Sequence, residues 1–326
     1  HNAISWYKGC VEANIKPIIG LEFYVAPDTR FGRTYSTKAE AALEAAETGD
    51  LSMSAYHLTV LAKNRQGYEN LKNISTLAYR EGFYRKPRID DELLAANKEG
   101  LIVLSGCLAS KISRLIISGQ TQKALEEVDK QRGIFGDDFY LEVMNHSIQD
   151  ESVVLEALKD FSKQRGIGLV MTGDSHYTDH GDEFAHEIAL AIGTAKNIND
   201  SNRFTFNGEG YWFKSPSEMR LSAEAGGIPI GAIDNTLDIA NRVEDYGFQL
   251  VSKTKKSIIP LYRIGEQALT NDQCVMMLEM KVRQGLQERG VAHLKEYQDR
   301  IPHELDLICS KDVSSYFLII SDAIDF

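Results

Sequence analysis

The feature that most constrains this chain is a regular alternation of short apolar runs with longer helix-forming segments. A nearly continuous apolar run is typical of a strand that is covered on both faces. Strands are predicted at residues 16–25, 57–62, 101–105, 139–143 and 168–172. Helices are predicted around them at 3–13, 67–80, 110–118, 121–132, 150–165 and 182–192. Strands that alternate with helices indicate an α/β protein with a parallel sheet or barrel.

The pattern changes beyond residue 202. Residues 203–213 alternate aromatic and polar side chains around a glycine turn, which predicts a β-hairpin. Ser215, Pro216 and Glu218 have the spacing of a capped helix start. Further helices are predicted at 231–243, 272–289 and 293–310.

Two polar stretches indicate how the chain is divided. Residues 28–55 are rich in Ala, Glu, Thr and Ser, so we expect an inserted surface loop with one weak helix at 38–47. The basic stretch 252–257 is typical of a linker. We therefore predict a first domain at 1–256 and a second region at 257–326.

The charge and the cysteines exclude several classes of protein. The chain has 47 acidic and 36 basic residues and a net charge of −11, so its surface as a whole repels phosphate, although a local basic groove remains open. No apolar run approaches the roughly 20 residues that span a bilayer, so we expect no membrane partner. The four cysteines are Cys10, Cys107, Cys274 and Cys309. They are too scattered for a disulfide framework, which suits a protein of a reducing cytoplasm.

Most of the candidate metal ligands lie at the ends of the predicted strands. Glu22 lies on the first strand, Cys107 follows the third, and Asp174 and His176 follow the fifth. Side chains at the carboxyl ends of parallel strands converge on one face. Asp174 and His176 are two residues apart, so in extended chain they point the same way and could bind one metal. His57 begins its strand, so this rule does not place it.

Each candidate also has a structural interpretation. Any of them can be an ordinary core residue whose polar atoms are hydrogen-bonded. This applies to a glutamate on an apolar strand, to a cysteine after a strand and to a lone histidine. The Asp-x-His pair is more specific than these. We interpret His146, His180 and His186 as weaker candidates, with a structural role for His186, and His293 and His303 as solvated.

Other catalytic motifs are absent from the sequence. There is no Walker A sequence, no dinucleotide-binding glycine fingerprint, no nucleophile elbow and no Cys-x-x-Cys pair. Residues 79–88 mix basic and aromatic side chains. They could contact a phosphate backbone, but we interpret them as a solvated loop.

An ordered set of short motifs runs along the whole chain, at residues 15–22, 57–59, 105–107, 172–177, 202–204, 210–215 and 314–320. Together these motifs resemble the bacterial DNA polymerase III α subunit family. The first part of the chain is similar to the family's PHP domain, which is a distorted seven-stranded βα barrel. The part from about Pro260 is similar to the mostly helical segment that leads into the polymerase palm. The resemblance implies a PHP barrel that lacks its N-terminal part, so we expect a fragment.

The resemblance implies a cluster of up to three metal ions. The family's ligands carry over as Glu22, His57, Cys107, Asp174 and His176, with Asp174 and His176 also expected to be catalytic. His1 does not align with a ligand, so the rest of the set is expected upstream of it. The expected ions are divalent: Zn²⁺ first, with Mn²⁺ or Mg²⁺ as alternatives.

The implied function is that of a replicative DNA-directed DNA polymerase, a nucleotidyltransferase. Its PHP site is expected to support 3′–5′ exonuclease activity in the intact protein, while the Mg²⁺-binding polymerase aspartates are expected beyond Phe326. The expected partners are primer–template DNA and replisome subunits such as a sliding clamp and a proofreading exonuclease. Two alternatives remain: a catalytically silent PHP domain that docks a proofreading subunit, and a free-standing PHP phosphoesterase. The palm-like region argues against the second.

Overall fold

The computed structural model describes residues 2–33, 55–247 and 260–325. The chain forms two compact units, His1–Phe248 and Gln249–Phe326. Most of the predicted inserted loop and all of the predicted linker at 252–257 lie outside the described residues, so the predicted boundary after residue 256 stays a prediction. Among the residues that the structure describes, no helix combines the length and apolar character needed to cross a membrane.

The first unit is built on a seven-stranded sheet. Its strands are β1 (Gly20–Val25), β2 (Tyr56–Ala62), β3 (Phe83–Tyr84), β4 (Lys86–Ile89), β5 (Leu101–Leu104), β6 (Phe139–Val143) and β7 (Leu169–Met171). Their order across the sheet is β3-β4-β1-β2-β5-β6-β7. The α/β class and the five predicted strands are therefore confirmed.

Nine α-helices accompany these strands in the described part of the first unit. They are α1 (Ala3–Glu12), α2 (Arg65–Arg80), α3 (Asp91–Ala96), α4 (Lys111–Ile117), α5 (Thr121–Phe135), α6 (Gln149–Arg165), α7 (Glu183–Gly193), α8 (Pro216–Gly226) and α9 (Gly231–Arg242). The predicted capping box at the start of α8 is confirmed, because the Ser215 side chain accepts from the Glu218 N–H and Glu218 accepts from the Ser215 N–H.

The sheet is mixed in direction, which differs from the predicted parallel arrangement. β4, β1, β5, β6 and β7 run the same way, because β1 pairs with β4, β5 with β6, and β6 with β7 in parallel. β2 lies between β1 and β5 and is antiparallel to both. The start of β2 therefore lies at the same sheet edge as the ends of β1 and β5.

The core of the first unit lies around its central strands. All residues of β5 and β7 are buried, as continuous apolar runs predict. α9 packs on β7, where the Asn235 side-chain amide donates to the Leu169 carbonyl at 2.7 Å. The prediction that β1 is buried on both faces is wrong, because Gly20, Leu21 and Glu22 are exposed.

Two further local predictions were wrong. The segment 79–88, predicted to be a solvated loop, contains β3 and β4. Within it Arg88 is buried, and its guanidinium donates to backbone carbonyl groups that include those of Gly82 and Gly32. The hairpin at 203–213 does not form. The backbone of this segment pairs with other parts of the chain instead: Trp212 forms a parallel bridge with Tyr177, and the Glu209 N–H donates to the His146 carbonyl at 2.9 Å.

The second unit is mainly helical, as predicted. A two-stranded ribbon, β8 (Arg263–Ile264) and β9 (Gln267–Ala268), precedes α10 (Asn271–Glu288), α11 (Lys295–Ser310) and α12 (Ser314–Asp325). α10 and α12 pack together around a buried cluster formed by Tyr262, Cys274, Leu278 and Leu318. The Tyr262 hydroxyl also donates to Asp322 at 2.7 Å, which ties the start of this unit to its last helix.

Candidate metal centre

Three of the predicted ligands converge at one edge of the sheet. Potential ligand atoms of Glu22, His57 and Cys107 all lie within 4.8 Å of one another. His57 Nδ1 lies 2.8 Å from Glu22 Oε1 and 3.6 Å from Cys107 Sγ. Half of the Glu22 side chain is exposed, while the His57 side chain is 20% exposed, so the cluster opens to solvent on the Glu22 side.

Strand register explains why these residues meet. In the β1–β2 ladder the Cα partner of His57 is Tyr24, and Glu22 lies two residues from Tyr24 on the same face. Glu22 and His57 are therefore diagonal cross-strand neighbours, a spacing that long side chains can bridge.

A tight turn after β5 brings Cys107 to this pair. Gly106 has φ of +88°, and a Cβ added there would lie 2.7 Å from the His57 carbonyl oxygen. The His57 N–H donates to the Ala109 carbonyl at 3.1 Å, which holds the same turn against the start of β2. The close backbone approach explains the glycine before Cys107.

The other two predicted ligands form a second pair beyond β7. His176 Nε2 lies 3.4 Å from Asp174 Oδ1. The hydrogen bond from His176 lowers the pKa of Asp174 more than burial raises it, and electrostatic interactions with the imidazoles of His176, His146 and His57 act in the same direction. Asp174 is therefore a carboxylate at neutral pH.

Electrostatic interactions link the two groups of ligands. Burial, together with the smaller effect of the negative charges of Glu22, Asp174 and Glu142, raises the pKa of the Cys107 thiol to about 12. Without a cation, Cys107 is thus a protonated thiol. A bound cation would reverse this balance, because it neutralises the surrounding carboxylates and favours the thiolate.

Glu142 is a functional candidate that the sequence reading missed. It lies on β6 between the two ligand groups and is only 4% exposed. One carboxylate oxygen accepts from the Thr172 hydroxyl at 2.7 Å and the other from the Gly106 N–H at 3.0 Å. Burial outweighs these bonds and raises the pKa of Glu142 to about 7. The sequence signal that could have identified Glu142 is its position inside an apolar strand, since a buried glutamate needs partners.

The histidines that were considered weaker candidates differ in their surroundings. His146 is buried and hydrogen-bonded on both sides of its ring. The His186 ring contacts the rings of His176, Tyr177 and Phe206. His293 and His303 are exposed, in agreement with the prediction.

The donor set fits a divalent metal ion. A carboxylate oxygen, an imidazole nitrogen and a thiolate sulfur are the ligands typical of Zn²⁺, and sulfur and nitrogen ligands on a tetrahedral Zn²⁺ lie about 3.5 Å apart. The separation between Cys107 Sγ and His57 Nδ1, 3.6 Å, agrees with that value, whereas Glu22 Oε1 lies at a hydrogen-bond distance of 2.8 Å from the same nitrogen.

Comparisons with known proteins find one matching family model and several similar proteins. The PHP domain family matches residues 1–146. The chain is 37% identical over 323 residues to the DNA polymerase III subunit alpha of Treponema pallidum and 35% identical over 324 residues to that of Borreliella burgdorferi, with 99% of this chain and 26% of each relative covered. It is 39% identical over 241 residues to the Thermus aquaticus subunit, covering 73% of this chain and 18% of the relative. The chain thus spans about a quarter of the length of the first two relatives.

Proposed function

The chain carries a PHP domain and is homologous to DNA polymerase III α subunits over 99% of its length, and from this premise we propose that it belongs to a replicative DNA polymerase whose PHP domain hydrolyses DNA at 3′ ends. The nucleotidyltransferase activity is proposed for the whole protein, of which the chain is a part. The hydrolytic activity is proposed for the cluster at the edge of the sheet.

The observation that carries the hydrolytic proposal is the convergence of Glu22, His57 and Cys107 within 4.8 Å. A mixed oxygen, nitrogen and sulfur donor set favours Zn²⁺, whereas Mg²⁺ and Mn²⁺ prefer oxygen ligands. We therefore assign Zn²⁺ to the Cys107 end and propose Asp174 and His176 as further ligands. Because the pKa of Asp174 is lowered, its carboxylate is available to a cation across the neutral pH range.

Divalent ions held by these residues would supply Lewis-acid chemistry, which activates water and offsets negative charge at a phosphodiester. The residues of the chain prepare the site for this. Glu22 and Asp174 offset the charge of the ions, and Cys107 gives up its proton when it binds. Glu142 joins the ends of β5 and β7 by accepting from the Gly106 N–H and the Thr172 hydroxyl.

Hydrolysis of a labelled, mispaired 3′ end by the intact polymerase subunit tests this proposal. Asp174→Ala and His176→Ala should each reduce 3′–5′ exonuclease activity at least about 100-fold, because each removes a metal ligand. The matched control is His303→Ala, an exposed histidine in the second unit. Primer extension measured on the same preparations checks that each variant is folded.

Unchanged hydrolysis in both ligand variants would reject the nuclease proposal. Metal binding without any hydrolysis in the wild-type subunit would also reject it and would favour the alternative of a PHP domain that serves assembly.

The proposed partners follow from the same premise. They are primer–template DNA and other replisome subunits, including a sliding clamp and a separate proofreading exonuclease, in the bacterial cytoplasm. Since the chain has a net charge of −11, we propose that DNA contacts are confined to local basic surfaces and to the metal site.

A further inference from the structure

His146 is a buried histidine next to the candidate metal centre that has no ligand role in the proposal above. Its residue exposure is 2%. Nε2 lies 3.1 Å from the Gly173 carbonyl oxygen, and Nδ1 lies 2.7 Å from Glu151 Oε1. A carbonyl oxygen only accepts hydrogen bonds, so Nε2 is protonated and donates a hydrogen bond to the Gly173 carbonyl oxygen.

The Gly173 carbonyl controls the conformation of the next residue. It belongs to the peptide plane that joins Gly173 to Asp174, and the orientation of that plane sets φ of Asp174. Asp174 has φ of +41°, a left-handed conformation that a residue with a side chain adopts only when its surroundings hold it there. The hydrogen bond from His146 supplies such a restraint.

The same imidazole also supports the backbone of His176. The Tyr211 ring stacks on His146 with centroids 4.2 Å apart and planes 7° apart. The Tyr211 carbonyl in turn accepts from the His176 N–H at 2.8 Å. Glu151 fixes His146 from the other side, because its carboxylate accepts from the His146 backbone N–H at 2.6 Å and faces Nδ1.

We propose that His146 is a positioning residue for the metal centre, which holds Asp174 in its left-handed conformation through the Gly173 carbonyl and so directs the Asp174 carboxylate toward the cations. This inference rests on the proposed role of Asp174 as a ligand. Removing the hydrogen bond from Nε2 should weaken cation binding without removing any ligand. Partners of this outer kind typically change metal affinity by about 10- to 100-fold.

Two substitutions of similar size separate positioning from packing. In His146→Gln the side-chain amide nitrogen can take the place of Nε2 and donate to Gly173, whereas in His146→Asn it can take the place of Nδ1 and reach only Glu151. We expect His146→Asn to lower Co²⁺ affinity at least about tenfold and His146→Gln to stay within about threefold of the wild type. Affinity is measured in the full chain from Co²⁺ d–d absorption, and circular dichroism checks the fold.

Equal losses in the two variants, or no loss in either, would overturn the positioning role. Asp174→Ala, measured alongside them, separates the two proposals. Unchanged Co²⁺ affinity in Asp174→Ala rejects the ligand role of Asp174 itself, and this inference with it. A large loss there together with equal losses in the two His146 variants rejects only the role of His146.

A spectroscopic measurement on the wild-type chain keeps the proposal testable if His146→Asn does not fold. With ¹⁵N-labelled histidine, the His146 Nε2–H should be protected from exchange, and its resonance should shift when Zn²⁺ binds, because Asp174 and the Gly173 peptide respond together. The missing resonance in His146→Gln gives the assignment. An Nε2–H signal that does not respond to Zn²⁺ would overturn the proposal.

Discussion

His57 Nδ1 lies 2.8 Å from Glu22 Oε1, although the two residues come from neighbouring strands that run in opposite directions. The antiparallel direction of β2 produces this contact, because it brings the first residues of β2 to the edge where β1 and β5 end. A rule based only on the ends of parallel strands therefore identifies Glu22 and Cys107 but not His57.

We predict that His57→Ala lowers the affinity of the chain for Zn²⁺ at least about tenfold, because it removes the central nitrogen donor between Glu22 and Cys107. Competition with a chromophoric chelator measures the affinity. His303→Ala is the matched control, since His303 is exposed and lies in the second unit. Equal affinities of the two variants would contradict the cluster as a binding site.

We predict that the Zn²⁺ affinity depends on pH through Cys107. Burial raises the pKa of its thiol to about 12, so the metal-free thiol is protonated throughout the neutral range and releases a proton when it binds as thiolate. This group should raise the logarithm of the association constant by about one for each pH unit between about pH 6 and about pH 8. Cys107→Ser should reduce the slope by about one, whereas Cys309→Ser should leave it unchanged; identical slopes would count against the thiolate ligand.

We predict that Glu142 makes the metal-free chain less stable as the pH rises. Burial raises its pKa from 4.5 to about 7, so between these values the folded chain keeps a proton that the unfolded chain has released. The contribution of Glu142 to the free energy of unfolding should therefore be greatest below pH 4.5. It should fall by about 3 kcal/mol through the window and level off above it.

Glu142→Gln should remove this dependence, and urea unfolding of chelator-treated protein at several pH values measures it. Glu224→Gln, a change at an exposed glutamate, is the control and should keep the wild-type profile. A profile of Glu142→Gln that parallels the wild type would show that the Glu142 carboxyl titrates normally in the folded chain.

We predict that Gly208→Ala destabilises the chain by about 3 kcal/mol or more, because an added Cβ would lie 2.2 Å from the His146 carbonyl oxygen in a residue with φ of +79°. Gly119→Ala measures the energetic cost of the left-handed backbone conformation without a steric clash. Gly119 has φ of +75° with no atom within 4 Å of the added Cβ, so its substitution should cost about 1 kcal/mol. Denaturant unfolding compares the two, and equal losses would show that the 207–211 turn can move away from His146.

Much of the fold could be predicted from local patterns. The continuous apolar runs predict the core strands, and five of the seven strands in the sheet of the first unit lie where these runs are. The predicted helix at 38–47 lies outside the described residues; the other predicted α-helices lie within a few residues of their observed bounds, because caps and helical periodicity are local properties. β3 and β4 were missed because they are only two and four residues long, and the burial of Arg88 depends on partners such as the Gly32 carbonyl, which a distant part of the chain supplies.

The candidate site was predictable in its residue types but not in its arrangement. Glu22, His57 and Cys107 are donors that the sequence identifies, yet their meeting depends on strand pairing over 85 residues, the difference between positions 107 and 22. The roles of Glu142 and His146 depend on burial and on hydrogen bonds to Gly106 and Gly173, which no local pattern encodes.

By itself, the sequence determined most of the helices, five of the seven strands in the sheet of the first unit, the α/β class and the set of possible ligands, since side-chain periodicity and donor chemistry are properties of neighbouring residues. Only the tertiary structure decided the reversed direction of β2, the convergence of the three ligands and the support of Asp174 by His146. Strand order and register arise from hydrogen bonds between segments far apart in the chain, so they become visible only when the sheet is assembled.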